Sequence, residues 1–246
     1  MQHCTLAIDI GNTHTKLCLL VDDKPHKTMV YNVLDHDEIV SIYSERHIDH
    51  TIISSVDDDK YRRLSHLLQQ ADIPFTTLTH HTPLPFDNLY TTPHTLGLDR
   101  IAALVGAQVL HPATPVLIID AGTCITYDLL VDKQFVGGNI SPGIDMRLQA
   151  MHHFTAALPQ VEFHTVDNAM GTDTHQAILN GAFWGVVNEI FSYIQRFTID
   201  YPHLTTIITG GSADYIKEYL PCSSSIDYQP YLVPIGLNYI ANQQSK

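Results

Sequence analysis

One short phrase occurs twice in the sequence, and this duplication constrains the fold more than any other feature. The first copy, LAIDIGNTHTK, carries an apolar run into Asp9, and the second, VLIIDAGTCIT, carries an apolar run into Asp120. In each copy a turn with glycine and hydroxyl residues follows the aspartate. Because each copy heads its own half of the chain, the sequence predicts two similar α/β domains.

The elements predicted after the two copies come in a similar order. Strands are predicted over residues 5–10, 16–21, 29–33, 50–56, 75–78, 116–120, 125–131, 134–138 and 205–209. Helices are predicted over residues 35–45, 57–71, 98–110, 144–153, 174–197 and 235–243. Each half therefore opens with a β-meander. Since the HPATP stretch at 111–115 is typical of a boundary, we expect domains over residues 1–112 and 113–246.

The residue types in the two turns suit a polyphosphate and a cation. Gly11 and Gly122 allow the backbone to approach a ligand closely. Asn12, Thr13 and Thr123, together with the turn amides, supply hydrogen-bond donors for phosphate oxygens. The two aspartates supply hard oxygen ligands for a metal ion. The sequence contains neither GxxxxGK[ST] nor GxGxxG, which excludes the P-loop and the Rossmann solutions to phosphate binding.

Composition narrows the classes of partner. The formal net charge is −13, which disfavours nucleic acid and means that an anionic substrate needs local positive charge, a helix N-terminus or a metal. No apolar run approaches the roughly 20 residues that span a bilayer, so no membrane partner is expected. The cysteines are Cys4, Cys18, Cys124 and Cys222, and their wide spacing is typical of reduced core thiols. We therefore expect a cytoplasmic protein.

The stretch YTTPHTLGLDR, from Tyr90 to Arg100, carries the information about the reaction. It lies where a long irregular segment enters a predicted helix, so Gly97 allows the turn and Asp99 falls near exposed N-terminal amides. Such an aspartate is often only a helix-start residue. Next to Arg100 it could instead act as a general base while the arginine holds an anion.

Five motifs in order give the chain a family resemblance. DIGNTHTK, YTTPHTLGLDR, DAGTCITYD, GGNISPG and MGTDTHQAILNG together resemble the type III pantothenate kinases of the acetate and sugar kinase and actin-like ATPase superfamily. A later ITGG matches the adenosine-side turn of that family. The resemblance implies an α/β fold of two facing ribonuclease-H-like domains with ATP in the cleft. It also implies ATP-dependent phosphorylation of pantothenate to 4'-phosphopantothenate, the first step of coenzyme A biosynthesis.

The resemblance also implies a role for each motif. The implied ATP contacts are Asp9, Ile10, Gly11, Asn12, Thr13, His14, Thr15, Lys16 and Thr123. The implied pantothenate contacts are Tyr90, Gly97, Leu98, Asp99, Arg100 and Thr174. Asp99 would accept the proton of the primary hydroxyl, and Thr174 would come from the other subunit of a homodimer with a shared active site. Asp9 would lie near Mg²⁺, directly or through water, and Asp120 would ligate a monovalent cation, K⁺ or NH₄⁺.

Three other functions remain open from the sequence. A kinase of the same fold that acts on a sugar or a carboxylate would carry similar ATP turns, and only the Tyr90–Arg100 stretch argues against it. A non-catalytic, transcription-accessory relative would be favoured by the loss of a turn carboxylate, yet Asp9, Asp99 and Asp120 are all present. A chaperone-like or actin-like assembly protein is disfavoured because the chain lacks room for large inserted subdomains.

Overall fold

A computed structural model describes residues 3–45, 47–166, 168–220 and 225–244 of the 246-residue chain. The chain forms two compact units. The first unit comprises Met1–Pro112, Lys133–Val136 and Tyr231–Lys246, and the second comprises Ala113–Asp132 and Gly137–Pro230.

The first unit is built on a five-stranded sheet. Its strands are β1 (Cys4–Ile10), β2 (Thr15–Val21), β3 (Lys24–Tyr31), β4 (His50–Ser55), β5 (Thr76–Thr77) and the separate short β6 (Asp87–Asn88). Its helices are α1 (His36–Glu45), α2 (Asp58–Gln70), α3 (Leu98–Leu110) and α7 (Leu232–Gln244). The strand order is β3-β2-β1-β4-β5, with an antiparallel meander on one side of β1 and parallel strands on the other.

The second unit repeats this order. Its strands are β7 (Val116–Ala121), β8 (Cys124–Val131), β9 (Gln134–Pro142), β10 (Thr205–Thr209) and β11 (Ile226–Tyr228). Its helices are α4 (Ile144–His153), α5 (Thr174–Asp200) and α6 (Ala213–Ile216). The strand order is β9-β8-β7-β10-β11, and β6 pairs with the first residues of β9, which belong to the first unit. The duplicated phrase therefore marks a duplicated sheet.

Each copy of the phrase occupies the central strand of its sheet. Asp9, near the end of β1, lies between Lys16 of antiparallel β2 and Ser54 of parallel β4. Asp120, near the end of β7, lies between Thr126 of antiparallel β8 and Thr209 of parallel β10. Both aspartates thus stand at the carboxyl ends of parallel strand pairs, where open α/β sheets bind ligands.

Two elements begin earlier than the sequence pattern predicts. β3 begins at Lys24 because Asp22 and Asp23 adopt positive φ angles, 49° and 64°, and form a tight two-residue hairpin turn. The polar start of β3 is tolerated because it is the edge strand of its sheet. α7 begins at Leu232, two residues before Pro234, because proline is accepted in the first turn of a helix.

The C-terminal helix lies in the first unit, whereas the expected domain boundaries placed it in the second. α7 packs on α3, β1 and β4. Gly106 and Gly236 allow this packing, because a Cβ on Gly236 would lie 1.9 Å from the Ala102 carbonyl oxygen and a Cβ on Gly106 would lie 2.3 Å from the Leu232 carbonyl oxygen. The longest segment of the first unit ends at Pro112.

Each sheet has its own apolar core. In the first unit, β1, β2 and β4 bury leucine and isoleucine side chains against Ile39 of α1 and against Leu64 and Leu68 of α2. In the second unit, β7 and β8 pack against the long helix α5. Cys4 and Cys18 are buried and Cys124 is half-buried, and none of these three described cysteines forms a disulfide, whereas Cys222 lies outside the described residues. Among the described residues, the helices are all too short or too polar to cross a membrane.

Candidate active site

The first turn, residues 11–14, links β1 to β2 and is open to solvent. The Gly11 N–H donates to the His14 carbonyl oxygen at 3.0 Å, which closes the turn. Asn12, Thr13 and His14 are exposed, and Thr15 is buried at the start of β2. The predicted phosphate donors are therefore accessible on a backbone that the sheet holds at both ends.

A lysine that the motifs did not indicate fastens this first turn. Lys60 Nζ of α2 donates to the carbonyl oxygens of Gly11 at 3.0 Å and of Asn12 at 2.6 Å. Asp57 caps α2, since its carboxylate accepts from the amides of Asp59 and Lys60 at 3.1 Å and 3.0 Å. This capping role agrees with the helix predicted to begin at residue 57. The sequence signal for Lys60 is weak: a single lysine in an acidic first helical turn.

The second turn, residues 121–124, is held by backbone contacts. The Gly122 N–H donates to the Cys124 carbonyl oxygen, and the Gly143 N–H donates to the Thr123 carbonyl oxygen, both at 3.0 Å. A Cβ on Gly143 would lie 2.3 Å from the Gly122 oxygen and 2.6 Å from the Thr123 oxygen. Gly143 is the last residue of GGNISPG. It is therefore through Gly143 that this motif contacts the second turn. Thr123 itself is exposed.

The ITGG motif approaches the same turn from β10. Gly210 has a φ of 95°, and a Cβ there would lie 2.4 Å from Asp120 Oδ1 and 2.5 Å from the Ala121 carbonyl oxygen. The Ser212 N–H donates to the Ala121 carbonyl oxygen at 2.9 Å. Only glycine at position 210 therefore allows the backbone to lie this close to the Asp120 carboxylate.

A polar brace holds the GGNISPG segment in place. Arg147 of α4 donates through Nε to the Pro142 carbonyl oxygen at 2.8 Å and through an NH₂ group to Ser141 Oγ at 2.9 Å. The same guanidinium forms an ion pair with Glu189 of α5. Tyr127 Oη donates to Glu189 at 2.8 Å. Burial alone would raise the pKa of Glu189, but hydrogen bonds from Arg147, Ser141 and Tyr127 outweigh it and lower the pKa.

The segment from Tyr90 to Arg100 has an aromatic platform. The Tyr90 ring stacks on Phe135 of β9 with centroids 5.7 Å apart, and the Arg100 guanidinium carbon lies 5.8 Å from the Tyr90 centroid. Phe135 is fully buried and is held there by the pairing of β6 with β9. The structure thus brings Tyr90 and Arg100 together. Phe135 was not predicted, because a buried phenylalanine in a strand is typical of any core.

Asp99 lies at the N-terminus of α3, where Arg100 stabilises its negative charge and burial removes water from its carboxylate. Its Oδ1 accepts the Arg100 N–H at 2.8 Å. Gly97 precedes the helix, and a Cβ there would lie 2.4 Å from Asp99 Oδ1. Burial raises the pKa of Asp99, while the amide of Arg100 and the charge of Arg100 oppose that rise. A carboxylate of this kind is a candidate proton acceptor.

Thr174, the remaining predicted substrate contact, is the first residue of α5 and is exposed. Asp173 caps this helix by accepting the Gln176 N–H at 2.9 Å. Gln176 Oε1 in turn accepts from the Thr172 amide at 3.1 Å. Thr174 therefore stands on an ordered helix start in the second unit, whereas Tyr90 and the Gly97–Arg100 segment belong to the first.

Comparison with known proteins identifies the family. A family model described as type III pantothenate kinase matches residues 5–196. A Bacteroides fragilis protein named type III pantothenate kinase is 41% identical over 96% of this chain and 97% of its own length. A protein of the same name from Phocaeicola vulgatus is 38% identical over 98% and 99% of the two chains.

The chain belongs to the type III pantothenate kinase family.

A solved structure shares the fold of this chain. A Baf family transcriptional activator from Campylobacter jejuni superimposes with a TM-score of 0.61 at 22% identity, covering 98% of each chain. The predicted fold class, an α/β fold of two ribonuclease-H-like units, is confirmed by the repeated strand order. Every candidate residue from Asp9 to Thr174 lies within the range that the type III pantothenate kinase model matches, and so do Lys60, Arg147 and Glu189.

Proposed function

We propose that this chain transfers the γ-phosphoryl group of ATP to the primary hydroxyl of pantothenate, giving 4'-phosphopantothenate for coenzyme A biosynthesis. The observation that carries the proposal is the Asp99 site: a desolvated carboxylate at a helix N-terminus, beside an arginine and an aromatic platform. Family membership and the names of the relatives support the choice of pantothenate as the acceptor.

Asp99 acts as the catalytic residue by orienting the hydroxyl and accepting its proton. An alcohol is too weak an acid to be ionised in advance, so the proton moves late, while the phosphoryl group passes through a loose transition state. The raised pKa of Asp99 suits this role because it makes the carboxylate a better proton acceptor. Arg100 holds the pantothenate carboxylate, and Gly97, Leu98 and Tyr90 shape the pocket around it.

The segment from Asp9 to Lys16, which contains the first turn, binds ATP phosphates through its amides and hydroxyls, and Thr123 of the second turn makes a further ATP contact. The described residues contain no group of three or more metal-ligating side chains that could hold a metal ion. Mg²⁺ usually needs only one or two carboxylates together with substrate phosphates and water, so Asp9 fits a Mg²⁺ that arrives with ATP. When bound there, Mg²⁺ would neutralise charge on the phosphates that the residues of the first turn align.

Asp120 fits a monovalent cation, K⁺ or NH₄⁺. Its carboxylate is half-buried at the end of β7 against the backbone of Gly210, and oxygen is the ligand that such hard cations prefer. An added positive charge there reduces the repulsion between ATP and an acidic chain of net charge −13.

The active unit is proposed to be a homodimer in the cytoplasm, with Thr174 contributed to the partner's pantothenate site. The support is the motif match and the exposed position of Thr174 at an ordered helix start. Mixing two inactive variants, Asp99→Asn and a bulky Thr174→Arg, tests this arrangement. If Thr174 acts in trans, randomly mixed dimers regain about a quarter of the wild-type sites. If it acts within its own chain, mixing restores nothing.

The first experiment is phosphoryl transfer from ATP to pantothenate by the purified protein with Mg²⁺, in K⁺ and in Na⁺. Product that depends on K⁺ supports both the reaction and the role of Asp120. Turnover only with another acceptor points to a sibling kinase. If folded, dimeric protein phosphorylates none of the acceptors tested, the proposal fails, and a non-catalytic regulatory role becomes the better explanation.

A further inference from the structure

The position of Lys60 places its ammonium group next to the first turn. It lies in the first turn of α2, five residues beyond the end of β4, and β4 runs parallel to β1. Its ammonium group therefore stands beside the carboxyl end of β1, where the first turn begins. Nζ donates to the carbonyl oxygens of both Gly11 and Asn12, and it also lies 3.8 Å from Asp57 Oδ2.

These two hydrogen bonds fix the orientation of two successive peptide planes. In a trans peptide the C=O of one residue points opposite to the N–H of the next, and the described part of the chain contains no cis peptide bond. When the Gly11 and Asn12 carbonyls point toward Lys60, the amides of Asn12 and Thr13 point to the other side of the turn. Successive amides on one side of a turn make a concave site for an anion.

Apart from Lys60, hydrogen bonds hold the two ends of this turn: the Ile10 carbonyl oxygen accepts from the Val56 N–H at 3.0 Å, and His14 Nδ1 lies 2.8 Å from Asn32 Oδ1. Residues 12–14 are exposed. The hydrogen bond from the Gly11 N–H to the His14 carbonyl oxygen closes the turn but does not involve the Asn12 carbonyl. Hydrogen bonds from a charged donor are roughly twice as strong as neutral ones. The Lys60 side chain is about one-third exposed, at 30%, so its charge is only partly desolvated. One ammonium group can thus order the turn before any phosphate arrives.

We infer that Lys60 is a positioning residue that aims the amides of Asn12 and Thr13 at the phosphates of the nucleotide. This inference rests on the proposed function, since it assigns the first turn to ATP. Lys60 acts through the backbone of the first turn, whereas the Tyr90–Arg100 segment is assigned to pantothenate binding. Removal of Lys60 should therefore weaken nucleotide binding and leave pantothenate binding nearly unchanged.

The test compares Lys60→Met, Lys60→Arg and the matched control Arg63→Met. Arg63 is exposed on the same helix, so its replacement removes the same charge without touching the turn. Calorimetric titration with Mg²⁺ and a non-hydrolysable ATP analogue should show roughly a tenfold weaker affinity for Lys60→Met. Lys60→Arg, which keeps charged donors, should recover most of the loss, and Arg63→Met should match the wild type.

Steady-state kinetics separates positioning from a general structural defect. The KM for ATP should rise in Lys60→Met while the KM for pantothenate changes less than about twofold. Equal increases in both constants, or an unchanged nucleotide affinity, would overturn the inference. If Lys60→Met does not fold, Lys60→Gln is measured in its place by the same criteria. Should the wild type fail to phosphorylate pantothenate, the titration still decides the role of Lys60, because it requires only nucleotide binding.

Discussion

The two copies of the strand–aspartate–turn phrase have the same place in their sheets but are supported in different ways. The first turn is fastened by a long side chain, because Lys60 reaches from α2 to two of its carbonyl oxygens. The second turn is fastened by backbone, because Gly143 and Gly210 come so close that a Cβ on either would overlap its atoms. Duplication thus preserved the strand order and the aspartate, and the supporting contacts diverged.

This difference has a physical consequence. A side chain that bonds to a turn can follow it if the turn moves on ligand binding, and its replacement leaves space rather than a clash. Backbone packed on backbone cannot adjust in that way, because protein interiors are close-packed. We therefore expect the first turn to tolerate substitution in its support better than the second.

The largest predicted effect comes from a residue that belongs to neither turn. Asp99→Asn removes the proton acceptor and keeps the size of the side chain, so kcat should fall by about 10²–10⁴-fold. Both turns should still bind Mg²⁺ and an ATP analogue with wild-type affinity in calorimetric titration. Near-normal turnover in this variant would rule out Asp99 as the base.

The next effect tests the contrast between the turns directly. In Gly143→Ala the new Cβ would lie 2.3 Å from the Gly122 carbonyl oxygen, so backbone must move. Overpacking of this kind costs about 1–3 kcal/mol, which in a chain of this size lowers the melting temperature by roughly 2–4 °C per kcal/mol. Activity should fall as well, since the displaced backbone carries Thr123.

Gly11→Ala is the matched control in the first turn. Its Cβ would lie 3.2 Å from the His14 carbonyl oxygen, a contact that a few tenths of an ångström of movement relieves. The melting temperature of this variant should therefore fall by less than half as much as that of Gly143→Ala. Equal losses in the two variants would show that the turns are supported with similar tightness, contrary to the comparison.

The same contrast shows how far sequence analysis could reach. The repeated phrase predicted both sheets and both aspartates, because a strand, its terminal aspartate and its turn are contiguous in the chain. It could not indicate Lys60, Phe135 or the Arg147–Glu189 pair. Those residues act through backbone carbonyls or through partners 42 or more positions away, and the fold alone brings them there. Pro234 misled the prediction for α7 because a proline within a helix usually marks a boundary.

A moderate effect is predicted for the brace of the second turn. Glu189→Gln keeps the shape of the side chain but removes the charge that pairs with Arg147, and the two side chains are 25% and 21% exposed. Because the pair is partly solvated, the expected loss of unfolding free energy is about 1 kcal/mol. Urea unfolding measures it, and Glu162→Gln, an exposed acid of the same unit, should cost almost nothing. Equal stability of both variants would mean that the brace does not support the turn.

The smallest predicted effect is the dependence of stability on pH. Burial raises the pKa of Asp99 above its ordinary value of 3.8, so the folded chain binds a proton there more tightly than the unfolded chain does. The stability contributed by this protonation is complete below the unfolded pKa and is lost as the pH rises through the folded pKa. Asp99→Asn cannot ionise and should therefore be slightly more stable than the wild type near neutral pH.

The pKa of Glu189 is shifted in the opposite direction, so Glu189 supplies the control. Its pKa is held below the ordinary 4.5, so its contribution is complete above that pH and is lost only as the pH falls through the folded value. In urea unfolding between about pH 7 and pH 5, the difference between wild type and Glu189→Gln should stay constant. As the pH is lowered from neutral toward about 4, the advantage of Asp99→Asn should shrink. An advantage that stays constant over the whole range would mean that the Asp99 carboxylate is as well solvated in the folded chain as in the unfolded one. The environment that makes it a good proton acceptor would then be absent.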